Sequence, residues 1–218
     1  MVSAIITAAG KSSRMYESQL KKSIKVQNKL TLAFKDKTVI EETINNVLSS
    51  NIDSCIIVLG HFKDEIKEHI SDISDKRIKI IENDPVDVGL STSLLHGLEN
   101  SNSELSLCVT ADQPTVCSTT FNNLINNSLN SKNPLKTISI LRRKDYGKLN
   151  TAEGLGMPFV APRENLINYL KGHDDNLNPI LRKIFNDGYC FYGVKEKNKL
   201  ELININTLED YEYVLKRI

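Results

Sequence analysis

Three short stretches of the chain hold residues whose types and spacing suit chemistry. The first is "AIITAAGKSSRM" (residues 4–15), where an apolar run passes through Ala8, Ala9 and Gly10 into Lys11, Ser12, Ser13 and Arg14. Small residues let a backbone approach a ligand closely. The amides of the following turn, with the lysine, serine and arginine side chains, donate to phosphate oxygens. The second is "CVTADQPTV" (108–116), which carries Asp112 to the tip of an apolar run, with Pro114 breaking the chain straight after. One carboxylate there suits a hydrated Mg²⁺, which takes one or two carboxylates and completes its shell with phosphate oxygens and water. A turn-starting Asp is the plainer alternative. The third, "NDPVDVGLSTSLLHGL" (83–98), supplies Asn83, which both donates and accepts, a turn at Gly89, and Ser91 or Ser93 to cap the following helix. Such a loop suits the edge of a nucleobase, although a capped helix alone explains it as well. The Walker phosphate pattern fails because Ile5 stands where its first glycine belongs. The dinucleotide fingerprint fails at Ala8 and Lys11.

The elements that position these stretches follow from periodicity. Residues 3–8, 54–59, 78–81, 105–109, 137–141 and 189–194 read as strands by length and β-branched content. Between them, 37–50, 64–71, 91–99 and 119–131 carry apolar residues at helical spacing, with Ile40, Ile44, Val47 and Leu48 the clearest stripe. Beyond Asn150 the pattern loosens into helices around 163–170 and 179–185, a strand near 201–205 and a last helix over 208–217. The alternation predicts an α/β fold, a mainly parallel sheet with helices on both faces. Ligands in such sheets bind beyond the carboxyl ends of the strands, where all three stretches fall.

Composition narrows the partners. The 218 residues suit one domain spanning 1–218, and a formal net charge of +1 provides no global field for nucleic acid or a membrane surface. No apolar run approaches the roughly 20 residues of a membrane helix, and residues 1–9 lack a signal-peptide pattern, so a cytoplasmic location is expected. Cys55, Cys108 and Cys190 sit in β-branched or aromatic runs, where cysteine acts as a small buried hydrophobe; Cys117 follows a turn. The four histidines show no close ligand spacing.

Taken in order, "ITAAGKSSRM", "NDPVDVGLSTSLLHGL", "CVTADQPTV", "GMPFV" and "LININTLEDY" resemble the motifs of the MobA-like nucleotidyltransferases, in particular the molybdenum cofactor cytidylyltransferase branch. The A-A-G form of the first motif is similar to the cytidylyltransferase type; the guanylyltransferase type usually has G-G. The resemblance implies a Rossmann-like nucleotidyltransferase fold of the nucleotide-diphospho-sugar transferase type. It also implies transfer of CMP from CTP to a phosphorylated acceptor, molybdopterin, with release of pyrophosphate. Arg14, Lys29 and Asp112 are then the catalytic residues, and Mg²⁺ is held by Asp112 and Asn204. Ala8, Ala9, Gly10, Lys11, Ser12, Asn83, Gly89, Ser91 and Ser93 bind the nucleotide. The implied partners are the small-molecule nucleotide and acceptor and a molybdoenzyme under maturation, with the protein a monomer or weak dimer.

The chain departs from the family pattern at named positions. Where the first loop usually continues R-M-G-x-x-K, Tyr16 replaces the glycine. The segment from Met15 to Lys29 is longer than the motif's, which leaves Lys21 and Lys22 as rivals to Lys29. Where D-I-D-T-P-E-D is usual, the chain has Asn204-Ile205-Asn206-Thr207-Leu208-Glu209-Asp210, so the second metal position brings no charge. In "GHDDNLNPIL", Asp174 or Asp175 remains of G-D-x-G-x-R, with Asn176 for the glycine. A catalytically weak or inactive nucleotide- or cofactor-binding accessory protein of the same family is the alternative these departures favour. A cytidylyltransferase for another phosphorylated small molecule is a further one.

Overall fold

The computed structural model describes residues 1–142, 144–174 and 176–218. Its centre is β1 (Val2–Ala8), buried along its whole length. A strand covered on both faces has no solvated face to alternate with, so "VSAIITA" reads as a run without alternation, its buried Ser3 and Thr7 hydroxyls hydrogen-bonded to Ser54 and to the Val109 carbonyl. Parallel strands flank it: β4 (Ser54–Leu59) pairs Leu59 with Ala8, and β6 (Leu105–Thr110) pairs Thr110 with Thr7. The eight-stranded sheet runs β5-β4-β1-β6-β9-β7-β10-β8, where β5 is Ile78–Glu82, β7 Thr137–Arg142, β8 Gly147–Lys148, β9 Phe159–Pro162 and β10 Cys190–Lys195. A short hairpin of β2 (Ala33–Phe34) and β3 (Lys37–Thr38) stands apart.

Helices cover both faces. Alternate residues of β1 part company: Ala4 and Ile6 join the core under α2 (Val39–Leu48), α3 (Lys63–Ile70), α5 (Ser118–Leu129) and α8 (Leu208–Leu215). Ile5 joins the core under α4 (Leu90–Glu99), α6 (Arg163–Leu170) and α7 (Leu177–Asn186). The expected helix over 37–50 begins later, because Lys37 and Thr38 belong to the hairpin and Thr38 then caps α2. Its hydroxyl accepts from the Glu41 amide while the Glu41 carboxylate accepts from the Thr38 amide at 2.7 Å. Cys190 is only half-buried, unlike Cys55 and Cys108.

Two features correct the sequence-based reading. Residues 201–205 form no strand; Lys199–Leu202 is a 3₁₀ turn. Its Glu201 is fully buried and its carboxylate caps α5, accepting from the Cys117 amide (3.1 Å) and the Thr120 hydroxyl (2.8 Å). The second is β9, antiparallel between β6 and β7. A strand running against its neighbours enters the sheet at their carboxyl edge, so residues 154–157 lie beside the ends of β6 and β7.

The packing of α4 on the sheet depends on Gly97, where an added Cβ would sit 2.3 Å from Ile5 Cγ2 and 2.9 Å from Val58 Cγ2. Both contacts are branches at Cβ and have little room to swing. Gly97→Ala should therefore destabilise: overpacking costs about 1–3 kcal/mol against about 1 kcal/mol gained in helix propensity. Urea unfolding should show a lower midpoint at unchanged slope; a raised midpoint would mean that α4 is free to back away from β1.

Candidate active site

The first crossovers build outward from β1 to β4 and β5, and the chain then returns to the other side of β1 with β6. Ligand crevices open at such a reversal. Here a cleft of about 290 Å³ lies at the ends of β1 and β6, lined by Ala8, Ala9, Gly10, Arg14, Lys29, Ser93, Asp112, Asn204 and Asn206 among others. A second cleft, of about 320 Å³, shares Leu90, Thr110 and Asn204 with it. Arg142, Gly154, Gly156, Asn176 and Asn178 complete its wall.

After β1 the chain turns through Ser12, whose φ of 55° is left-handed, into α1 (Ser13–Lys21). The left-handed residue is thus Ser12. Tyr16, at the family's glycine position, is helical and packs edge-on against Phe62. The Ser12 side chain at the cap position of α1 makes no capping bond to its amides, which suits an anion at that end. The Ser12 hydroxyl donates to Asn28 Oδ1 at 3.0 Å, and the same oxygen accepts the Leu30 amide at 3.0 Å. Asn28 therefore ties the first loop to the segment carrying Lys29. Its only sequence signal was its place beside that lysine.

Lys29 Nζ donates to Asp112 Oδ2 at 2.5 Å and to Asn206 Oδ1 at 3.0 Å; Arg14 Nη2 reaches the same Asn206 oxygen at 2.9 Å. Lys22 points elsewhere, to Glu209 and Glu212 of α8. Asn204 Nδ2 donates to Asp112 Oδ1 at 3.1 Å and to the Thr110 hydroxyl at 3.3 Å, while its Oδ1 accepts from Gln113 Nε2. An ionised carboxylate only accepts, so the amide must present its nitrogen to Asp112. The Ile205 amide donates to the Asp112 carbonyl at 2.9 Å and fixes this segment beside the strand tip. Burial opposes ionisation of Asp112. The Lys29 charge and hydrogen bonds from Lys29, Thr110 and Asn204 outweigh it and hold the carboxyl below the ordinary range.

Other residues singled out from the sequence lie off the cleft. Lys11 pairs with Asp87 at 2.6 Å on the exposed rim. Asn83, 5 % exposed, donates to the Ser93 hydroxyl at 2.8 Å and faces His96 Nδ1 at 3.3 Å. It supports Ser93, which lines the cleft and donates to the Gly89 carbonyl at 3.1 Å. Ser91 is fully buried in the first turn of α4. Neither serine caps that helix: Gly89 holds the cap position. The Gly89 amide and the Thr92 hydroxyl (2.6 Å) both donate to the Asp174 carboxylate. A side chain at Gly89 would meet the Asp174 carbonyl at 2.5 Å. Asp175 lies outside the described residues.

Among the described residues no group of three or more His, Cys, Asp or Glu side chains is placed to hold a metal, and no helix is long and apolar enough to cross a membrane. The Asp112 carboxylate suits a Mg²⁺ that takes its remaining ligands from phosphate and water, and Asn206 faces the same cleft; Asn204 turns its nitrogen to Asp112 and its oxygen to Gln113.

The comparisons with known proteins agree with this architecture. A nucleotidyl transferase from Methanothermobacter thermautotroptrophicus superposes with a TM-score of 0.91 at 38 % identity, covering 99 % of this chain and 96 % of that one. The 4-diphosphocytidyl-2C-methyl-D-erythritol synthase of Anaerococcus prevotii shares the fold, with a TM-score of 0.69 at 20 % identity over 99 % of this chain and 95 % of its own. The bifunctional protein GlmU of Staphylococcus saprophyticus is 24 % identical over 95 % of this chain and 43 % of its own length. The chain therefore spans less than half the length of that curated relative. A family model, the MobA-like NTP transferase domain, matches residues 4–182, which include the first loop, Lys29 and Asp112, and the chain thus belongs to the MobA-like NTP transferases, a family of nucleotidyltransferases.

Proposed function

We propose that the chain transfers CMP from CTP to the terminal phosphate of a small phosphorylated acceptor, releasing pyrophosphate, with molybdopterin the acceptor its motifs favour. The observation that carries this reading is that Lys29 and Asp112 line one cleft, and that Asn204, bonded to Asp112, lines both that cleft and the one beside it. The nucleotide occupies the cleft between β1 and β6. The amides at the start of α1, Lys29 and Arg14 hold its phosphates, and residues around Ser93 and Gly89 face its base. The acceptor occupies the second cleft, where Arg142 brings positive charge and Asn176 and Asn178 bring amides. An acceptor phosphate oxygen there forms a bond to the α-phosphorus, and the bond to the bridging oxygen breaks in line. Positioning and charge neutralisation by Lys29 and Arg14 supply most of the catalysis. Asp112 would hold a Mg²⁺, which when bound would neutralise charge building on the phosphates.

Release of pyrophosphate tests this, with each of the four NTPs, Mg²⁺ and molybdopterin or another phosphorylated acceptor. Turnover with CTP well above GTP is expected, since a site that hydrogen-bonds one base leaves polar groups unpaired with another. Equal or GTP-favouring turnover would overturn the base assignment. Asp112→Ala should abolish transfer and weaken CTP binding in Mg²⁺ more than in EDTA. Turnover at the wild-type rate would reduce Asp112 to a turn residue.

A second reading, an accessory protein that binds nucleotide or cofactor with little transfer, is favoured by one observation: Asn204 and Asn206 both present amides to the cleft. Asn204→Asp separates the two readings. It replaces the Asn204 N–H donor to Asp112 with a second carboxylate, which should lower Tm in EDTA. In Mg²⁺ the added charge should restore Tm and raise single-turnover release about ten- to a hundredfold. Absence of transfer in wild type and variant alike would favour the accessory reading.

A further inference from the structure

Among the described residues lining the nucleotide cleft, the charged side chains are two cations, Arg14 and Lys29, and one anion, Asp112. A cleft with that balance attracts phosphate before it attracts a dication. The geometry sharpens the point. Lys29 Nζ lies 2.5 Å from Asp112 Oδ2, with the two side chains only 14 % and 10 % exposed. Asn204 Nδ2 covers the other carboxylate oxygen at 3.1 Å. Both oxygens of the cleft's carboxylate therefore face N–H donors, and one donor is an ammonium in the place a metal ion would take. Asn206 Oδ1 is likewise engaged, by Lys29 at 3.0 Å and Arg14 at 2.9 Å. An ion approaching this site alone would meet a like charge and ligands already in use. A triphosphate would meet two cations, one of them on a flexible four-carbon stem that can turn toward it.

We infer that the cleft takes its triphosphate as the metal-free anion, and that Lys29 keeps a divalent ion off Asp112 until the phosphates draw the ammonium away. This order of binding rests on the nucleotidyltransferase reading of the cleft. Lys29 then has two partners in sequence: Asp112 while the cleft is free of ligand, and phosphate oxygens afterwards. Its departure uncovers Asp112 Oδ2 as phosphate oxygens arrive to complete a metal's shell. In this scheme a metal binding alone pays the fraction of time that Lys29 is off the carboxylate.

The test uses CTP and Mn²⁺ as separate probes, with calorimetry for CTP and the electron paramagnetic resonance of free Mn²⁺ for the metal. Wild type should bind CTP in EDTA with a Kd within about tenfold of that in Mg²⁺, and should bind Mn²⁺ alone only weakly. Lys29→Gln should bind Mn²⁺ alone about tenfold tighter or more, and CTP in EDTA correspondingly more weakly. Lys29→Arg, which keeps the cation, should leave Mn²⁺ binding weak. CTP binding only when a divalent ion is present would overturn the inference, as would equal Mn²⁺ affinity in wild type and Lys29→Gln. Failure to bind CTP in either buffer would instead overturn the nucleotide reading itself. The wild-type measurements decide the order of binding whether or not either variant folds.

Discussion

A carboxylate buried at the end of a sheet is costly unless it is paired and hydrogen-bonded, and Asp112 is such a carboxylate. Its requirements organise the site. The chain satisfies them from two distant segments, Lys29 from the stretch after α1 and Asn204 from the stretch before α8. The same C-terminal stretch is tied down at the Asp112 carbonyl by Ile205 and at the N-terminus of α5 by Glu201. The first loop is linked to the Lys29 segment through Ser12 and Asn28. Three separate pieces of backbone thus converge on one strand tip, and the cleft is the space left between them.

The parallel half of the fold was legible because buried strands and amphipathic helices write strong periods. "SAIITA" and "SCIIVL" have no solvated face to accommodate, and the Ile40–Ile44–Val47 stripe has one core to meet. The second half was less legible. β9 is four residues ending in proline and pairs with strands far from it in sequence, so no local period announces it. The stretch 201–205 carries Leu202, Ile203 and Ile205, whose density suggests a strand, but burial of Glu201 as a cap on α5 takes it out of any ladder. α1 leaves little mark in the sequence because "SRMYESQLK" exposes its charges and contributes only Met15 to the apolar core.

The site followed the same division. Strand ends identify themselves in a sequence, and Gly10, Arg14 and Asp112, which follow such ends, line the cleft. The tasks of Asn83 and Lys11 depend on tertiary neighbours, Ser93 with His96 and Asp87, that spacing cannot reveal. Asn28 belongs to this second group. An asparagine in a polar stretch carries no signal of its own, yet its one oxygen serves both the first loop and the turn beyond Lys29.

The antiparallel strand β9 also governs how the sheet comes together. The outer edge of β6 is completed through the pairing of Cys108 with Phe159, and β7 joins the same strand through Ile140. Without residues 159–162 the outer edge of β6 would show a row of unpaired amides and carbonyls, and β7 would have no strand to join it to the rest of the sheet. A chain interrupted before Phe159 would carry, on its most apolar strands, the kind of open edge that pairs with other molecules. The same short strand that lies beside the second cleft thus also covers an edge that would otherwise be open.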